Sequence, residues 1–355
     1  MKIYKITEAR VNMRIAIVTG CRSEWGLIEP LYKKLRKESL STYVISAGPH
    51  NSVDHNQSEI GVYPEWMLIE IESMLSGYSK SAITKSIGMT TILAAEVMKS
   101  YNFDLVVITG DRWESFAVAT AAHVARIPIM HLHAGESTFG STDNAFRHSI
   151  SHMATYLGAP NRRSLEFLNR FRDGEKYYIR LVGALGLHKI DEVESDHDDW
   201  TAVVSFHPQT IGGCGIKARD IYLSIDEVLG GDVTIFSTTQ SPDVGLDPSR
   251  FGTNVIRGRY LSILKKAKFI IGNSSSGIIE APVLGTPTIN IGSRQSGRPM
   301  GQSIYQADTK EGIMSALRDI MKRKQTFEPH YNVDGVEGTF KWIMEIQRNA
   351  RPNMG

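Results

Sequence analysis

Asp104-Leu105-Val106-Val107-Ile108-Thr109-Gly110-Asp111 is the stretch that decides the fold. Asp104 to Thr109 reads as one continuous strand, apolar or β-branched after Asp104, with no polar alternation. A strand buried on both faces reads this way, and such strands belong to parallel sheets covered by helices on both sides. Gly110 permits a sharp turn, and Asp111 follows at the strand's carboxyl end. Open parallel sheets display their functional groups at that end. Position alone leaves two readings of Asp111 open: a displayed carboxylate, or a cap for the next helix.

Working outward, short apolar runs alternate with helix-length amphipathic segments. Arg14 to Thr19 and Thr42 to Ala47 read as strands, with a Gly20–Gly26 loop and a helix through Leu35 between them. Ile83 to Lys99 repeats apolar residues at helical spacing, Ala117 to Ala125 is helical, and Ile127 to His131 is a strand. The pattern restarts with strands at Thr201 to Phe206, Val233 to Ser237, Phe269 to Gly272 and Pro287 to Ile291. Helices are expected at Ile216 to Val228, Arg259 to Lys266 and Val336 to Arg348. The fold class is therefore α/β: two Rossmann-like parallel-sheet domains facing a cleft, here 1–182 and 183–355. The last helix suits either domain.

Bulk properties narrow the function. The chain has 355 residues, enough for two domains rather than one core. Forty basic residues stand against 38 acidic ones, and no basic run marks a nucleic-acid surface. Cys21 and Cys214 are too few for a disulfide framework and lie in no metal-ligand spacing, so reduced thiols in the cytoplasm are expected. No run of 18 apolar residues reads as a membrane span, and Met1 to Asn12 has no apolar signal core.

Five segments carry chemistry. The first is Thr109 to Glu114 around Asp111. The second, His131 to Thr138 followed by Asp143 to His148, packs His133, Glu136, Asp143, Arg147 and His148 into sixteen residues. Asp143 and Arg147 share a face if that segment is helical. His131 and His133 alternate along a strand and point oppositely, which argues against a metal site. His207 ends a strand and suits phosphate contact or proton transfer, although a structural role is as good a reading of that residue alone. Gly272 to Pro282 runs a strand into Ser274, Ser275 and Gly277 and then a helix carrying Glu280, an arrangement suited to a diphosphate and a ribose. Gly292 to Arg298 adds Arg294 and Arg298, and the first loop adds Arg22. There is no Walker loop and no Gly-x-Gly-x-x-Gly after the first strand.

Together these segments resemble the hydrolysing UDP-N-acetylglucosamine 2-epimerase family. The resemblance runs from about Ile15 to Gly301 in seven ordered pieces, including Gly110-Asp111-Arg112-x-Glu114, His133-x-Gly135-Glu136, Asp143-x-x-x-Arg147-His148, His207-Pro208 and Gly272-Asn273-Ser274-Ser275-x-Gly277-x-x-Glu280. One departure is Val182-Gly183-Ala184-Leu185-Gly186-Leu187-His188, which lacks the usual Asp after its glycine. The resemblance implies a glycosyltransferase-B-like fold, a homodimer, a UDP-activated amino sugar as substrate, and neither metal nor other cofactor. It implies catalytic roles for Asp111, Glu136 and Asp143, with Arg147 orienting the sugar. His207, Ser274, Ser275 and Gly277 would hold the diphosphate, Glu280 the ribose, and Arg22 and Arg294 would be cationic groups of the cleft.

The expected reaction is anti elimination of UDP from UDP-N-acetylglucosamine, then hydration to N-acetylmannosamine. Asp111, Glu136 and Asp143 are the candidate acid and base, with Asp111 as base and Glu136 as acid one assignment among those left open. Release of UDP is expected from the Asn273-Ser274-Ser275 and Arg294-Gln295-x-Gly297-Arg298 versions of the motifs, which resemble the sialic-acid-pathway branch. The alternatives are a UDP-retaining epimerase, a hydrolase of a 2,4-diacetamido-6-deoxy sugar nucleotide, a glycosyltransferase of the same fold, and an idle sugar-nucleotide-binding protein.

Overall fold

The structure, a computed structural model, describes residues 13–48, 67–75, 79–171, 178–207, 215–230, 233–238, 251–252 and 255–350. Pro208 and Cys214, both singled out above, lie outside them, as do residues 1–12.

The buried runs form the expected parallel strands. The first sheet contains β1 (Arg14–Thr19), β2 (Ser41–Ala47), β3 (Leu68–Ile71), β4 (Leu105–Thr109), β5 (Ile129–Leu132), β6 (Tyr156–Ala159) and β7 (Tyr178–Leu181), in the order β3-β2-β1-β4-β5-β6-β7. β1 pairs in parallel with β2 and with β4, and β4 with β5. The winding runs outward from β1 to β3, then restarts at β4 on the other side. The order therefore reverses between β1 and β4, where the loops leave in opposite directions and open a crevice. Gly20 follows one strand and Gly110-Asp111 the other.

The second sheet repeats the device. It contains β8 (Ala202–Ser205), β9 (Ile235–Ser237), β10 (Phe251–Gly252), β11 (Phe269–Gly272), β12 (Thr288–Ile291) and β13 (Ile304–Ala307), in the order β10-β9-β8-β11-β12-β13. The reversal lies between β8 and β11, which pair in parallel from Ala202↔Phe269 to Ser205↔Gly272. His207 follows β8 and Asn273-Ser274 follows β11. Two parallel-sheet α/β folds in one chain match the expected fold class.

The chain divides into two compact units: Met1–Leu132, Ser149–Leu157 and Thr339–Gly355 in one, His133–His148 and Gly158–Gly338 in the other. Residues 133–148 thus pack with the second unit, although the sequence reads them as an extension of the first sheet. The reason is a set of side-chain bonds described below. The final helix, Gly335–Ala350, has its body in the first unit, where Trp342 meets Tyr156 edge-on at 5.6 Å.

The helix Lys80–Tyr101 turns an unexpected face inward. Its buried row is Ser86, Thr90, Ala94 and Met98, while Ile92 is 69% exposed. Small side chains let the helix approach closely, and their hydroxyls are met: Ser73 and Thr90 share a hydrogen bond at 2.5 Å, and Leu75 N–H donates to Ser86 Oγ. Hydrophobic spacing alone selects the wrong stripe here.

Gly272 is the tightest point of the second crevice. Its φ is +142°, and a Cβ there would lie 2.0 Å from the Ser205 carbonyl oxygen. Neither strand can yield without breaking the ladder. Gly272→Ala should therefore lower stability by about 2 kcal/mol or more, read as a fall in the urea midpoint; an unchanged midpoint would contradict this geometry.

Candidate functional site

In the second unit the central group is Glu136, 2% exposed. Arg298 Nη2 donates to its Oε2 at 3.0 Å, and the Tyr331 hydroxyl donates to its Oε1 at 2.5 Å. His133 Nδ1 lies 3.2 Å from Oε2. Leu185 N–H donates to His133 Nε2 at 3.3 Å, so that nitrogen carries the lone pair and Nδ1 carries the proton that Glu136 accepts. Burial alone would raise the carboxyl pKa. The Arg298 charge, the His133 hydrogen bond and the Arg147 charge outweigh it and hold Glu136 well below the usual carboxylate range. The same site pushes the Tyr331 hydroxyl far up, by burial and by the Glu136 charge, so Tyr331 is a fixed donor.

Backbone shape serves this cluster. His133 stands in the left-handed region at φ +58°, and Gly135 follows at +78°. A Cβ on Gly135 would meet Ser164 O at 2.6 Å. Such positions are costly unless their surroundings fix them. Arg147, 1% exposed, braces the loop from beneath: its Nη1 donates to the Glu136 carbonyl at 3.3 Å and to Thr138 Oγ1 at 3.0 Å. Arg147 thus holds the Glu136 backbone, a task distinct from the sugar-orienting role expected for it. Asp143 opens the helix Asp143–Met153, half-buried, and accepts the Ser141 hydroxyl at 2.7 Å. Beside Glu136 lies a cavity of about 260 Å³ with Phe139, Phe167, His148, Arg298 and Pro299 in its walls.

The second crevice is built by Asn273, which is fully buried. Its side chain accepts from His207 N–H and donates to the His207 carbonyl, both at 2.8 Å, fixing the end of β8 to the end of β11. Its own carbonyl accepts from Arg294 Nη1 at 3.2 Å and from Gln295 Nε2 at 2.8 Å. Burial, with the Arg294 charge adding to it, lowers the His207 pKa to about 4, so the ring is neutral at pH 7. Ser274 and Ser275 are half-buried, and Ser274 Oγ accepts from Ser276 N–H at 3.3 Å. The helix after them is a single turn, Ser276–Ile279. Gly277 serves its packing, since a Cβ would meet Thr288 Cγ2 at 2.7 Å. Glu280 is 4% exposed; Arg257 Nη2 donates to its Oε1 at 2.9 Å, while its buried Oε2 has no partner among the described residues.

In the first unit, Asp111 is half-buried behind Gly110, whose φ is +78°. Beneath the crevice lie two carboxylates the sequence did not single out as site groups. Arg112 grips Glu114 bidentately, Nη2 to Oε1 at 2.6 Å and Nε to Oε2 at 3.2 Å, and Glu114 is fully buried. Glu24 is 8% exposed and accepts Gly20 N–H at 2.7 Å. Burial first, then the nearby charges of Glu114 and Asp111, raise the Glu24 pKa to about 8 against the opposing Arg112 charge. Arg22 begins the helix Arg22–Lys37.

The structure therefore gathers Glu136, Arg147 and Asp143 around one loop, and His207, Ser274 and Arg294 around another. With an arginine, a tyrosine and a histidine directed at it, Glu136 favours its ionised form. Arg298, read from the sequence as a cationic group for phosphate, here donates to Glu136; Tyr331, Arg257, Asn273, Glu24 and Glu114 are the site groups that sequence reasoning did not assign.

The family described as UDP-N-acetylglucosamine 2-epimerase matches residues 33–335. The GDP/UDP-N,N'-diacetylbacillosamine 2-epimerase (hydrolyzing) of Campylobacter jejuni is 28% identical over 328 residues, 84% of this chain and 85% of that one. The polysialic acid biosynthesis protein P7 of Escherichia coli is 29% identical over 336 residues, covering 85% and 84%. Among solved structures, the UDP-GlcNAc 2-epimerase of Methanocaldococcus jannaschii has a TM-score of 0.76 at 20% identity, over 94% of this chain and 100% of that one, and so shares the fold.

The Glu24 shift has a signed consequence. Its pKa rises from 4.5 to about 8 on folding, so between those values the native protein holds a proton that the unfolded chain does not. Its contribution to stability is full below pH 4.5 and falls as pH rises toward 8. Glu24→Gln removes that dependence. Melting temperatures should favour the variant increasingly from pH 5 to pH 8; parallel curves for the two proteins would contradict a protonated Glu24.

Proposed function

The chain belongs to the UDP-N-acetylglucosamine 2-epimerase family, and from that premise we propose that it is a hydrolysing 2-epimerase, converting UDP-N-acetylglucosamine to UDP and N-acetylmannosamine. The observation that carries this reading is the fixed anion at Glu136, beside a cavity in the second unit.

In an α-linked gluco sugar nucleotide the C1 oxygen and the C2 hydrogen are axial and on opposite faces, ready for anti elimination. The C2 proton is weakly acidic, so C1–O cleavage runs ahead and leaves positive charge on the ring. A preorganised anion stabilises that charge without reorganising. Glu136 is suited to this because its position and charge are set in advance. That leaves Asp111 and Asp143 for proton transfer, Asp111 as the base that removes the C2 proton. Elimination gives a 2-acetamidoglucal with a C1–C2 double bond; water then adds at C1 while a proton reaches C2 from the other face, giving the manno product.

Ser274, Ser275 and a neutral His207 ring suit the departing diphosphate, which needs hydrogen-bond donors, with Arg294 and Arg22 supplying positive charge. Glu280 suits the ribose, its free Oε2 accepting from a hydroxyl. The Campylobacter relative is named as hydrolyzing, which supports release of UDP, and the Escherichia relative is named for polysialic acid biosynthesis, which supports a sialic-acid-type route. A homodimer belongs to the same reading.

One observation favours a second sugar. The cavity beside Glu136 has Phe139, Phe167 and Pro299 in its walls, and apolar walls suit a methyl group better than a 6-hydroxyl. A 2,4-diacetamido-2,4,6-trideoxy sugar presents that methyl, and the Campylobacter relative is named for such a substrate.

Phosphorus NMR of the protein with each sugar nucleotide tests both readings. Appearance of free UDP supports release, and the faster substrate identifies the sugar; UDP kept attached to the inverted sugar would move the protein to the retaining reaction. Asp111→Asn and Glu136→Gln should each lower turnover by about a hundredfold or more while UDP still binds. His207→Ala should weaken UDP binding by about tenfold. Near-native turnover in both carboxylate variants would remove this mechanism.

A further inference from the structure

Two carboxylates assigned to opposite ends of the substrate are joined by one short stretch of chain. Glu136 accepts from His133 Nδ1, and His133 Nε2 accepts from Leu185 N–H at 3.3 Å. The next residue completes the path: Arg257 Nη2 donates to the Gly186 carbonyl at 2.8 Å and to Glu280 Oε1 at 2.9 Å. Leu185 and Gly186 lie in one buried 3₁₀ turn, Leu185–Leu187.

That turn has little room to move. Ala184 N–H donates to Val333 O at 3.0 Å and Gly335 N–H donates to Ala184 O at 2.9 Å, so its entry is paired on both sides. Gly186 itself admits no side chain, because a Cβ would lie 2.2 Å from Glu280 Oε1. Ala184 and Leu187 pack with Ile278, Ile279 and Tyr331 in one apolar cluster, and Tyr331 is the residue that donates to Glu136. A displacement of Glu280 therefore reaches Glu136 by a polar route through Arg257, the turn and His133, and by an apolar route through Tyr331.

We propose that Arg257 and His133 are positioning residues that couple Glu280 to Glu136 through the Leu185–Leu187 turn, so that engagement of the nucleotide ribose fixes the carboxylate on the sugar side. The inference rests on the roles proposed above for Glu280 and Glu136. Its chemical sense is that binding energy from a part of the substrate that does not react is used at the reacting carbon. Arg257 donates to Glu280 and to the Gly186 carbonyl, so its removal acts on the nucleotide end first.

The test uses full-length protein labelled with ¹⁵N-histidine, the His133 ring signals being assigned by their loss in His133→Asn. Saturating UDP should shift the His133 ring nitrogens in wild type and leave them in place in Arg257→Ala. In turnover, Arg257→Ala should lower kcat by about tenfold as well as raising KM, and Arg257→Lys should recover part of kcat. The kcat effects of Arg257→Ala and His133→Asn should be less than additive in the double variant. UDP binding to wild type without any His133 shift, or an Arg257→Ala effect confined to KM, would overturn the coupling while leaving the proposed activity standing. Absence of UDP binding to wild type, read by calorimetry, would instead remove the functional reading and the coupling with it.

Discussion

A carboxylate kept out of water must be matched by donors, and Glu136 is the carboxylate on which this architecture turns. Its bonds to Arg298, Tyr331 and His133 bring together residues from three separate parts of the second unit. Removing one partner of such a set leaves a buried charge uncompensated, which costs several kcal/mol. The set accounts for features that otherwise look unrelated: the left-handed backbone at His133, the glycine at 135, and the packing of residues 133–148 with the second unit although β5 delivers them from the first sheet.

Around this anchor the two sheets use one principle twice. Each reverses its strand order once, between β1 and β4 and between β8 and β11, and each crevice is held by a polar latch. In the second, Asn273 ties β8 to β11 by bonding both backbone groups of His207. In the first, Glu24 accepts from the Gly20 loop, and Glu114 fills the space that the glycines at 20 and 48 leave vacant. The outcome is a division of labour by protonation. Glu136 is held ionised, His207 is held neutral, and Glu24 is held protonated, each by a nameable cause. Chemistry that needs an anion, a neutral donor and separate proton carriers benefits from groups whose charge states are fixed before substrate arrives.

Much of this was legible in the sequence. The strand bounded by Leu105 and Thr109 announced a parallel sheet, and Asp111, His207 and Ser274 could be located at carboxyl ends because local patterns define strand ends. What stayed hidden depended on sequence-distant partners. Arg298 lies 162 positions from Glu136 and Tyr331 lies 195, and no local signal links them. Without those donors Glu136 looks like one more acid in a cluster, and nothing local marks it as the carboxylate that is held ionised. Arg257 drew no notice for the same reason: its partners Gly186 and Glu280 lie 71 and 23 positions away. The inner row of Lys80–Tyr101 escaped because close packing selected small residues over apolar ones.

The most direct test of the central claim is proton NMR of the purified protein with UDP-N-acetylglucosamine in deuterated water. N-acetylmannosamine should appear carrying deuterium at C2, because elimination removes the C2 proton and hydration replaces it from solvent. N-acetylmannosamine that keeps its original C2 hydrogen, or N-acetylglucosamine formed by simple hydrolysis at C1, would contradict it.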